Sequence, residues 1–540
     1  MNMRSGMSFL PYGDTIGSIV VQHINGYLVD VISGAIYPAC VNFFEGKIVR
    51  IERKVAAPDQ YILPGLIDSH VHVESSHLSP YRYAEQAILH GTSAVVADLS
   101  PASATAGVDG LSYMMEAGRA TPLRFHYAVP SDIPGLGWQE VRSLLSRDEF
   151  VALGEITDHE ALIEEQQGMM SKVEVAQQLG KRIDGHAPGL SGFRLERYIM
   201  NGVTSDHESS SSKEAAEKHR KGMSIALRES STSRDLRALV PFALHNQHMF
   251  ATDHLRARDL VGGHIDSLLR MAVEEGIDPV QAVRAATIWT AEHYGLEAGV
   301  LQVGAPADIV VVSDLRSFKV LETWIGGDLV ARNGELLYLG SMPMPVAPLF
   351  PRTILSEIDV RASGLSTQVK VMGVDRHGGI TWGKEELPVD EGSIVADPTR
   401  DVLYMVWADP SRDWSLRVGF VKGFELKGGA IATSEVHKFG GVLSIATTLA
   451  GARDAMNEVA AAGGGSVAML NGERIMLPLP VAGLMSDLPA HEVAAREEEL
   501  LAFTREMGCP MSDPFMAMAF IGPFLPTAFQ VEKTVLSVGA

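Results

Sequence analysis

The chain has 540 residues, of which 46% are hydrophobic and 21% are charged, a mixture typical of globular proteins with a substantial core. Because single cores stop growing at roughly 250–300 residues, we expect two or three domains. A formal net charge of −21 argues against a nucleic-acid polymer or an anionic membrane surface as partner. Two cysteines are too few for a disulfide framework or a cysteine-rich zinc module.

The N-terminal segment lacks the basic and apolar regions of a signal peptide. Uninterrupted apolar runs stay shorter than the ~18 residues of a membrane span. The sequence therefore predicts a cytoplasmic protein.

Short strand-like segments separated by turns fill the first sixty residues. The stretch FFEGKIVRI, residues 43–51, predicts two strands about a Glu-Gly-Lys turn. A similar pattern returns at residues 308–338. Since neither stretch supplies a complete sheet alone, we predict a small discontinuous β-sandwich domain from residues 1–63 and 299–345.

Short apolar runs alternate with segments of helical periodicity between these two stretches. The runs are LIDSHVH (66–72), SAVVAD (93–98), RFHYAVP (124–130), FVALGEI (150–156), KRIDGHA (181–187), GVTSDH (202–207), MSIALRE (223–229) and HMFATD (248–253). This alternation predicts a TIM-like (β/α)8 barrel over residues 64–298, although an open α/β sheet would give the same pattern. Most runs carry polar residues near their C-terminal ends, where barrel enzymes place their chemistry.

The stretch MPMPVAPLFPRT, residues 342–353, is rich in proline and predicts a linker. Beyond it, turn-rich and strand-like pieces precede the helical segment AHEVAAREEELLAFTREMG, residues 490–508. We therefore predict a C-terminal α+β domain over residues 346–540.

Two histidines one residue apart end the first apolar run. Side chains two apart on a strand point to the same face, so Asp68, His70 and His72 share a face that can look into a barrel. Imidazole nitrogen is a suitable ligand for zinc, manganese and iron. An isolated His-x-His also arises by chance on surface strands, so the pair alone does not decide the matter.

Further ionisable residues end the later runs, namely Glu155, His186, His207 and Asp253. Each of them alone could be an ordinary polar residue near a strand end. Burying all of them would be costly unless they were paired or bound to metal. Together with the two histidines they predict a metal centre.

Several longer motifs carry a family resemblance. They are LPGLIDSHVHVESS (63–76), ALGEI (152–156), DGHAPGLSG (184–192), SDHE (205–208), ATD (251–253), GHID (263–266), AATIWTAEHYGL (285–296), GAPADIVVVSDL (304–315), LPLPVAGLMSDLPAHEV (477–493) and MGCPMSDPFM (507–516). The set resembles the amidohydrolase superfamily and, within it, the adenine deaminases of the bacterial type. The similarity spans the chain from about residue 20.

The resemblance implies two divalent metal ions, which could be manganese, iron or zinc. It assigns His70 and His72 to one ion, His186 and His207 to the other, Glu155 to a bridge between them, and Asp253 to the first ion beside the attacking water. It also implies metal-assisted hydrolysis of a C–N bond, with Asp253 and Glu155 as catalytic residues. Asp253 would take a proton from the water and return one to the leaving amine.

Three more residues at strand ends are candidates for holding the substrate ring: Glu74, Arg228 and His254. The alternative for each is an ordinary salt-bridged residue of a loop or of the barrel rim. The expected partner is a small N-heterocyclic molecule, with neither nucleic acid nor membrane involved. The large apolar C-terminal domain also favours a homodimer or a larger assembly.

The sequence departs from the family pattern at three places. ADLSPAS (97–103) stands where an Asp-Pro-His-Glu motif is usual, TSEVHKFGG (433–441) replaces a His-Asp-Ser-His-Asn type sequence, and Asp253-His254 replaces paired aspartates. None of these changes removes a predicted metal ligand. We therefore expect an aminohydrolase acting on adenine or a closely related aminopurine. The alternatives are a related hydrolase that opens a cyclic amide or acts on another N-heterocycle, and a non-enzymatic purine-binding relative.

Overall fold

The computed structural model describes residues 13–16, 19–133, 135–338, 368–375, 379–390, 392–412 and 414–528. The predicted linker at residues 342–353 lies outside these ranges, as do parts of the predicted outer domains. The three domain boundaries therefore stay predictions. Within the described ranges, no helix is both long enough and apolar enough to cross a membrane.

The N-terminal part of the chain forms strands that pair antiparallel with one another, except the last, which runs parallel to its neighbour. They are β1 (Gly13–Ile16), β2 (Ile19–Val29), β3 (Ile36–Phe44), β4 (Lys47–Arg53) and β5 (Tyr61–Pro64). Strands β3 and β4 form the hairpin that the sequence predicts around Glu45 and Gly46. Both turn residues have positive φ, at 47° and 75°, a conformation that glycine adopts without steric cost.

Parallel strands alternating with helices follow. The strands are β6 (Leu66–Val71), β7 (Thr92–Asp98), β8 (Arg124–Val129), β9 (Phe150–Ile156), β10 (Arg182–Gly185), β11 (Ser205–Asp206), β12 (Ser224–Arg228) and β13 (Met249–Ala251). The helices are α1 (Pro80–Leu89), α2 (Ser100–Arg119), α3 (Trp138–Leu145), α4 (His159–Ile163), α5 (Gln167–Gln178), α6 (Gly192–Met200), α7 (Ser212–Arg220), α8 (Leu236–Ala243), α9 (Ala257–Leu260), α10 (Ile265–Glu274), α11 (Pro279–Ala285) and α12 (Ile288–Tyr294). The parallel ladders run from β6 through β10 and from β11 through β13.

Hydrogen bonds outside these ladders close the strands into a barrel. The Asp253 N–H donates to the His70 carbonyl at 3.0 Å, and the His72 N–H donates to the Asp253 carbonyl at 2.9 Å, which joins β13 to β6. On the other side, the Thr204 N–H donates to the Ile183 carbonyl at 2.8 Å and joins the chain before β11 to β10. The predicted barrel is confirmed, and the open-sheet alternative is wrong.

Several strands end earlier than the apolar runs in the sequence. Strand β6 ends one residue before His72, and β13 ends two residues before Asp253. His186 and His207 likewise follow β10 and β11 directly. Four of the predicted ligands therefore begin loops at the C-terminal end of the barrel, whereas His70 and Glu155 lie within the last residues of β6 and β9.

The chain returns to the N-terminal strands after the barrel. It forms β14 (Ile309–Val312), β15 (Val320–Ile325), β16 (Asp328–Arg332) and β17 (Glu335–Leu336). Because β14 pairs with β5, one sheet runs β17–β16–β15–β14–β5–β2–β3–β4, with β1 beside β2. Phe43 of β3 and Trp324 of β15 lie with ring centroids 5.3 Å apart, so the sheet folds over a shared core as a sandwich.

The C-terminal region combines a mixed sheet with helices. Its elements are β18 (Gln368–Val374), β19 (Ile380–Glu386), β20 (Val389–Asp390), β21 (Ser393–Ile394), β22 (Leu403–Asp409), β23 (Ser415–Lys422), β24 (Ala430–Thr433), β25 (Val442–Ala446), α13 (Leu449–Ala461), β26 (Gly465–Leu470), β27 (Glu473–Pro478), α14 (Ala490–Glu506), α15 (Pro514–Ile521) and α16 (Leu525–Ala528). The main sheet runs β19–β18–β23–β22–β25–β24–β26–β27. This arrangement is the predicted α+β structure, and α14 lies within the predicted helical segment.

A cluster of buried charges joins the barrel to the C-terminal region. Arg256, which follows β13, is fully buried and donates to Glu435 at 2.8 Å and to Asp513 at 3.3 Å. His77, which follows β6, lies 3.1 Å from Glu435 and 2.7 Å from Glu497. Because an unpaired buried charge costs several kcal/mol, each partner stabilises the position of the others.

Truncation of Phe43 tests the composite sheet. Phe43→Ala should lower the free energy of unfolding by about 3–5 kcal/mol, because the ring is fully buried and its loss leaves a cavity. Phe193→Ala is the matched control, because that ring is exposed, and it should change the free energy by less than about 0.5 kcal/mol. Urea denaturation measures both values, and equal losses would contradict a core role for Phe43.

Candidate metal centre and active site

The predicted ligands of the first metal ion meet at the C-terminal end of the barrel. The Nε2 atoms of His70 and His72 lie 3.3 Å apart, and each lies 3.7 Å from Asp253 Oδ1. All three residues are buried. The backbone of Asp253 has a φ of 54°, in the left-handed region that non-glycine residues rarely adopt. The two hydrogen bonds to β6 hold it there.

Glu155 lies between the two groups of histidines. Its Oε1 atom is 3.5 Å from His72 Nε2, while its Oε2 atom is 2.8 Å from His186 Nδ1 and 3.3 Å from His207 Nε2. One carboxylate therefore reaches imidazoles from β6, β10 and β11. This is the position in which a carboxylate could bridge two cations.

The donor atoms fit a divalent cation. His72 Nδ1, His207 Nε2 and Asp253 Oδ1 are buried, and each has no hydrogen-bond partner among the described residues. Burial lowers the pKa of His72, but the carboxylates of Glu155, Asp98 and Asp253 raise it to about 10. The site thus favours positive charge, and its nitrogen and oxygen donors suit zinc, manganese or iron.

Glu208 is a further potential ligand that sequence reasoning missed. Its Oε1 atom lies 3.5 Å from His207 Nε2 and 3.7 Å from His186 Nδ1, close enough for all three to hold one ion. Arg228 NH1 donates to Glu208 and lies 3.3 Å from Asp253 Oδ2. The motif SDHE contains the signal, a carboxylate directly after a histidine ligand.

Asp98, at the end of β7, supports this cluster from a second strand. Its Oδ1 atom lies 3.9 Å from His72 Nδ1, and its Oδ2 atom accepts the Glu155 N–H at 3.3 Å. Burial raises the pKa of the Asp98 carboxyl to about 6. The altered ADLSPAS motif therefore still supplies a carboxylate next to the predicted ligands.

The candidate substrate residues occupy different environments. Arg228 and His254 line a cavity of about 750 Å³ above the ligand cluster. The His254 ring stacks on His72 with centroids 4.5 Å apart. Glu74 is absent from the lining of this cavity: its Oε1 accepts the Ala102 N–H at 2.9 Å, and burial raises its pKa to about 7. A substrate role for all three stays a prediction.

The C-terminal region closes one side of the cavity. His437, Lys438, Phe520 and Phe524 belong to its lining. Lys438 Nζ donates to the barrel residue Asp132 at 3.0 Å. The cavity is therefore shared between barrel loops and a segment distant in sequence.

A buried lysine organises the loops that carry His186 and His207. Lys218, fully buried on α7, donates to Asp206 at 2.9 Å and to the Ala187 carbonyl at 2.6 Å. Asp206 also accepts the Ala187 N–H at 3.0 Å. Since Ala187 and Asp206 adjoin the two histidines, this network fixes the separation of both rings.

Comparison with known proteins identifies the family to which the chain belongs. Residues 61–330 match the amidohydrolase family, and residues 380–528 match the adenine deaminase C-terminal domain. An adenine deaminase from Methanosphaera stadtmanae is 36% identical over 95% of this chain and 96% of its own length. One from Salinibacter ruber is 38% identical over 96% of this chain and 97% of its own length. The chain belongs to the adenine deaminase family of amidohydrolases.

Membership of this family confirms the predicted resemblance and the predicted class, a hydrolase acting on C–N bonds. Among solved structures, a β-aspartyl dipeptidase from Fervidobacterium islandicum AW-1 aligns with a TM-score of 0.49 and 17% identity, over 59% of this chain and 100% of that one. Its score is too low to inform the function.

Removal of the buried lysine tests the loop network. Lys218→Met should lower the free energy of unfolding by about 3–5 kcal/mol, because it leaves Asp206 as an unpaired buried charge. The control Lys221→Met removes a partly exposed pair with Glu196 and should cost less than about 1 kcal/mol. Both values come from urea denaturation, and a small loss in the first variant would mean that the pair does not fix the loops.

Proposed function

We propose that the protein hydrolyses adenine to hypoxanthine and ammonia. The observation that carries this proposal is the convergence of four histidines around Glu155 and Asp253 next to a cavity shared with the C-terminal region. Relatives named adenine deaminase that match nearly the full chain support the choice of substrate.

We assign two divalent ions, manganese, iron or zinc, to the ligand cluster. His70, His72 and Asp253 would hold one ion, His186 and His207 the other, with Glu155 between them and Glu208 beside the second. Bound divalent ions lower the pKa of a coordinated water and so supply a nucleophile near neutral pH.

We assign the proton transfers of the reaction to Asp253. Its Oδ1 atom is 3.5 Å from His254 Nε2, and its Oδ2 atom is held by Arg228 at 3.3 Å. The guanidinium favours the ionised carboxylate, which a general base requires. Asp253 accepts a proton as the water oxygen bonds to C6 of adenine and the C6–N1 π pair moves to N1. It then returns the proton to the exocyclic amine, which leaves as ammonia as the pair on N1 restores the C6–N1 double bond and gives the hydroxy tautomer of hypoxanthine.

The walls of the cavity suit a flat heterocycle. His254, His437 and Phe520 contact one another through their rings, with centroids 5.0–5.5 Å apart. Such faces pack against planar bases, while Arg228 and the carboxylates offer polar contacts. We therefore propose a small N-heterocyclic molecule, and not a nucleic-acid polymer, as the substrate.

We also propose a cytoplasmic location and a homodimer or larger assembly. The cysteines support a reducing compartment, because Cys40 and Cys509 are both buried and free. The assembly state rests on the apolar character of the C-terminal region alone.

Ammonia release tests the proposed reaction. Manganese-loaded protein should release one ammonia per adenine, and chelation of the metal should abolish turnover. His70→Ala should lose bound metal and activity together. The screen includes other aminopurines and cyclic amides, with products weighed by mass spectrometry. Addition of water without ammonia would indicate ring opening instead, and metal-replete protein inactive on all purines would exclude a deaminase.

Replacement of Asp253 tests the proton transfer. Asp253→Asn should lower kcat for adenine by about 10²–10⁴-fold, because the amide cannot accept the proton. Asp235→Asn is the control, since Asp235 also binds Arg228, at 2.8 Å, but does not line the cavity. It should retain kcat within about threefold of the original value. Steady-state kinetics at saturating metal decide between these results, and a D253N variant with near-normal kcat would contradict the assignment.

A further inference from the structure

The turn between β24 and β25 brings the C-terminal region to the predicted metal ligands. His437 and Lys438 of this turn line the cavity. The His437 ring stacks on His254 with centroids 5.2 Å apart and an interplanar angle of 23°. Since His254 stacks in turn on His72, the turn is separated from a predicted ligand by a single ring.

Glu435 anchors this turn to the barrel. The side chain is 2% exposed and accepts hydrogen bonds from Arg256 NH1 and NH2, at 3.1 and 2.8 Å. It also lies 3.1 Å from His77 Nε2. Arg256 and His77 belong to the loops after β13 and β6, the two strands whose ends carry His70, His72 and Asp253. One carboxylate therefore ties the turn to both of these loops.

The conformation of the turn is restricted from other sides as well. Lys438 has a φ of 71° and pairs with Asp132. The His437 N–H donates to the Ala519 carbonyl at 3.3 Å. A Cβ atom on Gly522 would lie 2.4 Å from the His437 carbonyl oxygen, so the backbone of the next segment packs directly against the turn.

One nitrogen of the His437 ring faces the carboxylate of Glu435. Its Nε2 atom lies 3.7 Å from Glu435 Oε1 and has no other partner among the residues described. Glu435 therefore faces the ring from the buried side, at the distance of an ion pair and not of a hydrogen bond. The ring itself lines the cavity and stacks on His254.

We propose that His437 is a substrate-binding residue supplied by the C-terminal region and that Glu435 is its positioning residue. The ligand class is a planar N-heterocycle with a hydrogen-bonding edge. Its identification as adenine rests on the proposed function. The role of the turn in shaping the cavity rests on the contacts of Glu435 and His437.

Two variants and a matched control test the kinetic consequence. His437→Ala and Glu435→Gln should each raise KM for adenine about tenfold while kcat stays within about threefold, because binding is weakened and the chemical step is retained. Metal content should equal that of the unchanged protein. Glu497→Gln is the control, because Glu497 is equally buried and bonded to His77 but does not contact the turn. Its KM should stay unchanged. Equal KM shifts in E435Q and E497Q, or a normal KM in H437A, would overturn the proposal.

A second measurement is independent of turnover. Hydrogen exchange of the amides in residues 434–441 should accelerate at least tenfold in E435Q and remain unchanged in E497Q, because only the first variant releases the turn. Equal exchange in the two variants would overturn the positioning role, even if both melt at lower temperature. H437A leaves the charged cluster intact, so its KM still tests the role of His437 if E435Q does not fold. If the unchanged protein fails to deaminate adenine, the proposed function falls, and the exchange comparison still decides the role of Glu435.

Discussion

The backbone of Asp253 is the constraint on which the site depends. Its N–H donates to His70 in the first barrel strand, and its carbonyl accepts from His72 directly after that strand. This pairing closes the barrel and sets the Asp253 carboxylate beside His70 and His72 in one step. The left-handed conformation at Asp253 costs roughly 1–3 kcal/mol, and such strain persists only where the surroundings enforce it.

Electrostatics extends this arrangement across the boundary between barrel and C-terminal region. The ligand cluster is rich in carboxylates, and the guanidinium of Arg228 pairs with Glu208, Asp235 and Asp253. A second cation, Arg256, neutralises the buried carboxylates at the domain contact. Two arginines, one at the end of β12 and one in the loop after β13, thus serve separate clusters, one for chemistry and one for the placement of the cavity wall.

The sequence predicts those features that follow from periodicity and from side chains at strand ends. Strand–helix alternation predicts the barrel, and His-x-His with the later ionisable residues predicts which side chains meet. The shared face of Asp68 and His70 illustrates the limit of such reasoning. Alternation predicts the face to which a side chain points, but not how far along the barrel axis it lies. Asp68 lies below the ligand cluster, where it accepts a hydrogen bond from Thr252 Oγ1 at 2.5 Å and lies 3.2 Å from His264.

Other features depend on contacts that one-dimensional patterns do not contain. Glu208 directly follows a predicted ligand in the motif SDHE, but only the fold brings it within 3.7 Å of His186 Nδ1. The pairing of Arg256 with Glu435 joins positions far apart in the chain, and nothing local to either residue marks it.

The composite sheet has a consequence for the order of events during synthesis. Strand β14 is hydrogen-bonded to β5, yet the whole barrel lies between them in the chain. At roughly 5–20 residues per second, a ribosome needs tens of seconds to proceed from one strand to the other. During that interval β5 offers an unpaired edge, and the buried residues Ile62 and Leu63 lack their neighbours. The nascent chain therefore passes through a stage in which the catalytic barrel can form although strands β14 to β17, which complete the N-terminal sheet, have not yet been synthesised.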